Sequence, residues 1–397
     1  MTLRIAVVGT GDSPDDPDAD GFAMAYRHAA GYRRLDDCEL VACADIVREN
    51  AEQFADHHDI DAVYEDYERM LDATDPDIVS VTVPPAVHAE VVRGCARAGD
   101  LAAIHCEKPM ATTWGDCESM VRVCEAENVA LTINHQRRVG PTFKRAKELL
   151  DDGTIGELQR VECPAKNLFD AGTHVFDLAG MFTDEATPEW VLAGLDYREE
   201  NRWFGAHNEN HAVAQWRYDD GVHGLAATGE GSDAVDPYVR LVGTDGRIEI
   251  GASDGPPLRV RHSTSFGWRT VHTGENMWGD TWLPTWKAAL AKVSRNAPGL
   301  PDAPYGSPSH IELAIESVVE AVRTGDPSPL SAANALRSTE LIFGAWESVR
   351  RRGRVDLPLD VDDNPLAAMV EEGMVPVGRD ADGDADDAPE HTPPAED

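Results

Sequence analysis

Three groups of residues in this chain have the types and spacing that chemistry requires. Lys108 follows the apolar run AAIHC at 102–106, which places an ammonium at the carboxyl edge of a strand. Such a group donates to a hydroxyl and a ribose together and stabilises a developing alkoxide. Lys108 is one of only six lysines in a chain with 29 arginines. Asp170 and His174 stand four apart at the head of an apolar, helix-like run ending at Phe182. On a helix that spacing puts both side chains on one face. A carboxylate beside an imidazole raises its basicity and orients the ring. Gly9-Thr10-Gly11 closes the first apolar run, and the third glycine of a GxGxxG loop is displaced by SPDDPDAD to Gly21. Gly9 permits the tight turn, Gly11 the approach of a pyrophosphate, and Gly21 close packing of helix on strand. Asp45 ends the second apolar run, where a carboxylate accepts hydrogen bonds from an adenosine ribose. It repels a 2′-phosphate and so favours NAD, while nearby Arg48 keeps NADP possible.

The elements that must position these groups are legible as alternating runs. Strands are expected at 3–9, 39–45, 63–64, 77–83, 101–106 and 129–134, and helices at 21–31, 49–58, 86–98 and 112–127. Strands alternating with helices imply a parallel sheet covered on both faces. After residue 154 the pattern changes to strands at 157–163, 190–196, 211–218, 222–228, 238–243 and 247–250. The turns YDDGV and GTDGR indicate antiparallel hairpins. The fold class is therefore an α/β Rossmann domain plus an α+β domain. Helices at 308–324 and 331–351 are expected to close the second domain. The expected divisions are 1–134, 135–358 and a 359–397 extension, acidic and disordered from about 379.

Composition bounds the partners. Asp and Glu total 72 against 35 Lys and Arg, a formal net charge of -37. That surface repels nucleic acid, and no apolar run reaches the eighteen or so residues of a membrane span. Seven cysteines without a CxxC pair read as reduced, buried thiols in a cytoplasm. The acid-rich, lysine-poor balance resembles that of haloarchaeal cytoplasmic proteins, in which strong salt screens self-repulsion.

The stretch DPDIVSVTVPPAVHAEVV and the following AAIHCEKPM resemble the Gfo/Idh/MocA family (glucose–fructose oxidoreductase and inositol dehydrogenase-like) across residues 3–358. The resemblance implies a second domain built on a large, mostly antiparallel sheet. It implies that Pro84 and His88 lie near the nicotinamide side of the cofactor, with Glu107 and Lys108 at nicotinamide and substrate. It makes His174 the general acid/base, with Asp170 beside it and Asp177 a further acid of the same helix. Pro85 stands where the family more often has Asn. Asn134 closes a strand near the cofactor. In NHQRRVGP, Arg137 or Arg138 meets a substrate hydroxyl or carboxylate, or makes a surface pair; Arg138 matches the family pattern best. Lys166 is a further candidate for the pocket.

The expected function is hydride transfer between a sugar, polyol or related hydroxy compound and NAD, with NADP possible. Two alternatives stay open: an NAD-dependent glycosidase or lyase-like enzyme with tightly bound NAD, and a non-catalytic NAD- or sugar-binding module. A homodimer or homotetramer through the second-domain sheet is expected. His207 and His211 have an HxxxH spacing, but the strand-like alternation around them separates the rings, and no metal site is expected. The segment 262–306, with Trp268, Trp278, Trp282 and Trp286, covers the substrate, joins a neighbouring subunit or forms local core.

Overall fold

The protein is described by a computed structural model over residues 2–14, 23–275, 277–278 and 308–375. Six apolar runs form one parallel sheet: β1 Leu3–Val8, β2 Cys38–Ala44, β3 Ala62–Tyr64, β4 Ile78–Val81, β5 Ala103–Cys106 and β6 Ala130–Ile133. Their order is β3-β2-β1-β4-β5-β6. Every residue of β4 and β5 is buried, because helices cover both faces. The connecting helices are α1 Met24–Arg33, α2 Arg48–His58, α3 Tyr67–Thr74, α4 His88–Ala98 and α5 Trp114–Ala126. No helix is expected over α3 from the sequence. Asp66 does mark its start, accepting from the N–H groups of Glu68 and Arg69, yet eight residues show too little apolar stripe to be read. Strand order reverses between β1 and β4, so the loops after both open onto one crevice, the usual ligand position in such sheets.

A second sheet follows α6 Pro141–Asp151. Its elements are β7 Leu158–Ala165, β8 Pro188–Asp196, β11 His211–Tyr218, β12 His223–Thr228, β13 Val239–Gly243, β14 Gly246–Ile250, β15 Leu258–His262, β16 Arg269–Thr270 and β17 Val355–Asp356. Helix α7, Gly172–Phe182, lies between β7 and β8, and β9 Arg202–Trp203 with β10 Ala206–His207 forms a separate small hairpin. The nine strands run β16-β15-β14-β13-β7-β12-β11-β8-β17. Only the β7–β12 pair is parallel, so the sheet is mostly antiparallel as expected. The YDDGV and GTDGR turns join antiparallel pairs, β11–β12 and β13–β14. On the face away from the helices, the register aligns Glu162, Arg240, Glu249 and Arg259 on four neighbouring strands. Each consecutive pair is joined by an ion pair of 2.5–2.8 Å.

Of the two later helices, one departs from expectation. Helix α8, His310–Thr324, starts with a capping box between Ser309 and Glu312. Its Ile315 and Val318 pack with Leu3, Ile5, Tyr32 and Ile78. It therefore covers a face of the first sheet instead of closing the second domain. Helix α9, Ala332–Arg351, packs on α7 and β8 and also reaches α5 and β6, so it joins the two layers. Beyond residue 359 the chain forms α10, Pro365–Glu371, with Leu366 and Met369 buried. Asn364 ties it back by donating to the Thr112 carbonyl at 2.9 Å. The expected disorder from about 379 lies outside the described residues.

Candidate active site

The β1 turn carries the first part of the site. Gly9 has φ 86° and Gly11 φ 62°, conformations that favour glycine. A Cβ on Gly9 would also stand 2.7 Å from the Val83 main-chain nitrogen, whereas no described residue lies within 4 Å of one on Gly11. The loop thus passes close under β4 and leaves space above it. Asp45 steadies this turn. Its Oδ2 accepts from Gly11 N at 3.0 Å and the buried Thr10 hydroxyl at 3.2 Å, and its Oδ1 accepts from Val47 N at 2.8 Å. One lone pair on Oδ1 remains for a ribose. Gly21 and the four aspartates of the insertion lie outside the described residues.

Behind the crevice, Glu107 is nearly sealed from solvent. Its Oε1 accepts from His28 Nε2 at 2.8 Å and Asn134 Nδ2 at 2.6 Å, and its Oε2 from the Lys108 N–H at 3.2 Å. Burial alone raises a carboxyl, but the hydrogen bond and charge of His28, with Asn134 and Lys108, hold Glu107 down to about 2. Glu107 faces the interior and orients Asn134 and Lys108, which corrects its expected contact with nicotinamide and substrate. His28 carries no signal in the sequence, since it meets Glu107 across 79 positions. His88 is also corrected. Both of its ring nitrogens lie 2.8 Å from main-chain oxygens, Nδ1 from Pro109 and Nε2 from Val83. The ring bridges the loops after β4 and β5, with both nitrogens facing main-chain oxygens. Pro84 is exposed at the end of β4.

Lys108 projects from the end of β5. Its Nζ donates to Asp170 Oδ1 at 2.8 Å and to the Asp170 carbonyl at 3.3 Å. It also stands 4.9 Å from the centroid of the Trp203 ring, on the β9–β10 hairpin. No local pattern around Trp203 points to this position. The Asp170 loop is itself held: Asn208 Oδ1 accepts from Asp170 N at 3.4 Å, and Asn167 Oδ1 from Ala171 N at 2.9 Å. Helix α7 begins at Gly172, so Asp170 precedes it. The expected Asp170–His174 pair does not form, because the carboxylate turns to Lys108. The expected rise in His174 basicity is reversed. Burial, with the charges of Arg137, Lys108 and His135, pushes the imidazole well below its usual range. It is neutral at neutral pH, and neither ring nitrogen has a hydrogen-bond partner among the described residues.

The turn after β6 separates two adjacent arginines. Arg138 is buried, with Nε 2.9 Å from Asp177 Oδ2 and one terminal nitrogen 2.8 Å from Oδ1. Its other terminal nitrogen bonds Glu185. The expected contact of Arg138 with substrate is replaced by this interior clamp on α7. Asp177 is held down to about 2: burial raises it, but Arg138 and His135 outweigh that. Arg137 turns instead toward Tyr238 and Trp278, at 4.9 and 4.6 Å from their ring centroids. Lys166 is exposed, and its side chain makes none of the site's contacts. His207 bonds Tyr197, and His211 bonds the Thr228 carbonyl at 2.7 Å, so the two rings serve separate partners. Trp268 stacks on Arg259 at 4.4 Å, while Trp282 and Trp286 lie outside the described residues. An apolar cleft of about 420 Å³ exists elsewhere, lined by Ala103, Leu131 and Val318. It lies at the amino ends of β5 and β6, the edge opposite Lys108.

A nicotinamide dinucleotide suits these residues. The Gly9–Gly11 turn leaves a space among the described residues, and Asn134 Oδ1, Gln136 Oε1 and His174 Nδ1 are buried with no hydrogen-bond partner among them. A buried polar atom left unpaired costs about 1–3 kcal/mol, which a ligand can recover.

Residues 3–135 match the model of an oxidoreductase family with an NAD-binding Rossmann fold, and residues 167–357 match that family's C-terminal alpha/beta domain. The chain belongs to the Gfo/Idh/MocA oxidoreductase family. It is 25% identical over 269 residues to myo-inositol 2-dehydrogenase of Thermotoga maritima, covering 64% of this chain and 74% of that protein. It is 26% identical to the NADP(+)-dependent D-xylose 1-dehydrogenase of Haloarcula marismortui over 54% of this chain and 65% of the relative. Among solved structures, levoglucosan dehydrogenase in complex with NADH and levoglucosan superposes with TM-score 0.70 at 19% identity, covering 91% of this chain and all of the other. This Gfo/Idh/MocA protein is thus an oxidoreductase with an NAD-binding Rossmann domain. No helix among its described residues is long and apolar enough to cross a membrane.

Proposed function

We propose that this oxidoreductase is a dehydrogenase of a sugar, polyol or related hydroxy compound, with Lys108 and His174 acting on one substrate hydroxyl. The observation that carries this reading is the Lys108–Asp170 contact of 2.8 Å. It brings the ammonium after β5 to the segment that leads into His174. Bound NAD supplies the hydride acceptor. Lys108 Nζ donates to the substrate oxygen and offsets its charge as the O–H proton leaves. The neutral His174 imidazole takes that proton at a ring nitrogen free of protein partners. Asp170 holds the ammonium in place. Glu107 fixes Asn134 and the Lys108 main chain, while Asn134 Oδ1 and Gln136 Oε1 accept from the cofactor side. Asp45 favours NAD over NADP. A panel of polyols and sugars assayed in strong salt for NADH formation tests the reading. Turnover lost in Lys108→Ala supports it, and unchanged turnover in that variant removes Lys108 from the reaction.

We further propose that the enzyme works in a cytoplasm of high salt as a homodimer or homotetramer. The charge of -37 supports the first, as do seven free cysteines, six of them buried. For the second, Leu192 and Val213 are 37% and 44% exposed on the helix-free face of the large sheet, where a second copy would cover them. Light scattering of Val213→Glu against the parent tests this, with loss of the larger species expected.

A further inference from the structure

Arg137 differs from every other shielded cation among the described residues. Each other arginine or lysine that is buried or half-buried has a carboxylate within 4.0 Å. Among the described residues Arg137 has neither an ion pair nor a side-chain hydrogen bond, in a chain where acids outnumber bases 72 to 35. The rings of Tyr238 and Trp278 lie at 4.9 and 4.6 Å from its guanidinium carbon. Aromatic faces attract the plane of a guanidinium but leave its in-plane N–H fork unsatisfied. That fork matches the two oxygens of a carboxylate.

The residue is also anchored at the reacting end of the site. The Gln136–Val139 turn is fixed to α7 by Arg138 on Asp177. His135 Nε2 lies 2.8 Å from the Thr173 hydroxyl, and its ring is 5.7 Å from that of His174. Burial pushes the Arg137 guanidinium down to about 10, against the opposing charge of Asp170, so it stays charged at neutral pH.

We propose that Arg137 determines specificity by gripping a carboxylate on the substrate, so that the compound oxidised at Lys108 and His174 is a sugar acid such as a uronate or aldonate. This rests on the dehydrogenase reading above. The test is calorimetric titration of the NAD-loaded protein with D-glucuronate, D-galacturonate, D-gluconate and D-galactonate, each against its neutral counterpart: D-glucose, D-galactose, sorbitol and galactitol. At least one acid is expected to bind roughly ten- to a hundredfold more tightly than its neutral counterpart. Arg137→Gln removes that difference, and Arg137→Lys restores part of it. Acids binding no better than neutral compounds, or a preference that persists in Arg137→Gln, overturns the proposal. If Arg137→Gln does not fold, the acid-to-neutral ratio of the parent and of Arg137→Lys decides. NADH formation in the same samples separates the two readings. NADH from neutral compounds without acid preference removes the carboxylate grip and keeps the dehydrogenase. Tight acid binding without NADH from any compound does the reverse.

Discussion

Arg138 and Lys108 each hold an acid of the segment around α7, with opposite consequences. The Arg138–Asp177 pair is almost sealed, its side chains 4% and 2% exposed, and Glu185 supplies further charge. The Lys108–Asp170 pair is 19% and 18% exposed, and the ammonium has an aromatic ring beside it in place of a second acid. A sealed, oversupplied pair holds parts together. An open pair with a single carboxylate can exchange that carboxylate for a substrate oxygen. Arg137, one residue before the sealed arginine, carries the same difference further, with no carboxylate paired to it among the described residues.

This contrast sets what each variant does. Arg138→Ala takes the guanidinium from buried Asp177 and leaves it His135 Nδ1 at 3.2 Å, and breaking such a pair costs about 3–5 kcal/mol. Denaturant unfolding should show that loss; a change under about 1 kcal/mol, the scale of surface pairs, would mean that the clamp is not structural. Lys108→Ala should instead leave stability nearly unchanged and lower turnover by about 10²–10³, with NAD binding retained on fluorescence titration. A large stability loss with turnover intact would exchange the two roles. His174 gives a subtler signature. Because its pKa is lowered, the imidazole is a competent base throughout the neutral range. The rate of substrate oxidation should be flat from neutral pH down through the ordinary histidine range, and fall only below it. A midpoint near the ordinary value of 6.5, lost in His174→Ala, would show that the ring is more solvated than its burial implies.

Acid titration of stability offers a further check. Glu107 and Asp177 are held at about 2, below their ordinary 4.5 and 3.8. Folded-state values below the unfolded ones mean a contribution fully present above the unfolded pKa and lost as pH falls through the folded one. Stability should therefore decline between about pH 4.5 and 2, and the slope should lessen in Glu107→Gln.

Much of the frame is legible in the sequence because it is written locally. The buried strands β1, β4 and β5 are continuous apolar runs, and YDDGV and GTDGR carry their turn chemistry in adjacent residues. Asp45 and Lys108 are placed by strand ends alone. What could not be read is written across distance. The partner of Lys108 lies 62 positions away, and local spacing assigned that acid to His174 instead. The choice between Arg137 and Arg138 rests on Asp177, 39 residues on. His88 looked like a ligand contact because the sequence does not show that the Val83 and Pro109 carbonyls flank its ring. Helix α8 was assigned to the wrong layer because an amphipathic stripe does not name the surface that it covers.

The central claim is that Lys108 and His174 act on the same hydroxyl. Single-turnover hydride transfer in Lys108→Ala, His174→Ala and the double variant, all saturated with NAD and substrate, tests it most directly. Groups that work as a unit lose most of their effect together, so the double variant should be little slower than the slower single one. Losses that multiply would place the two groups at separate tasks and contradict the account.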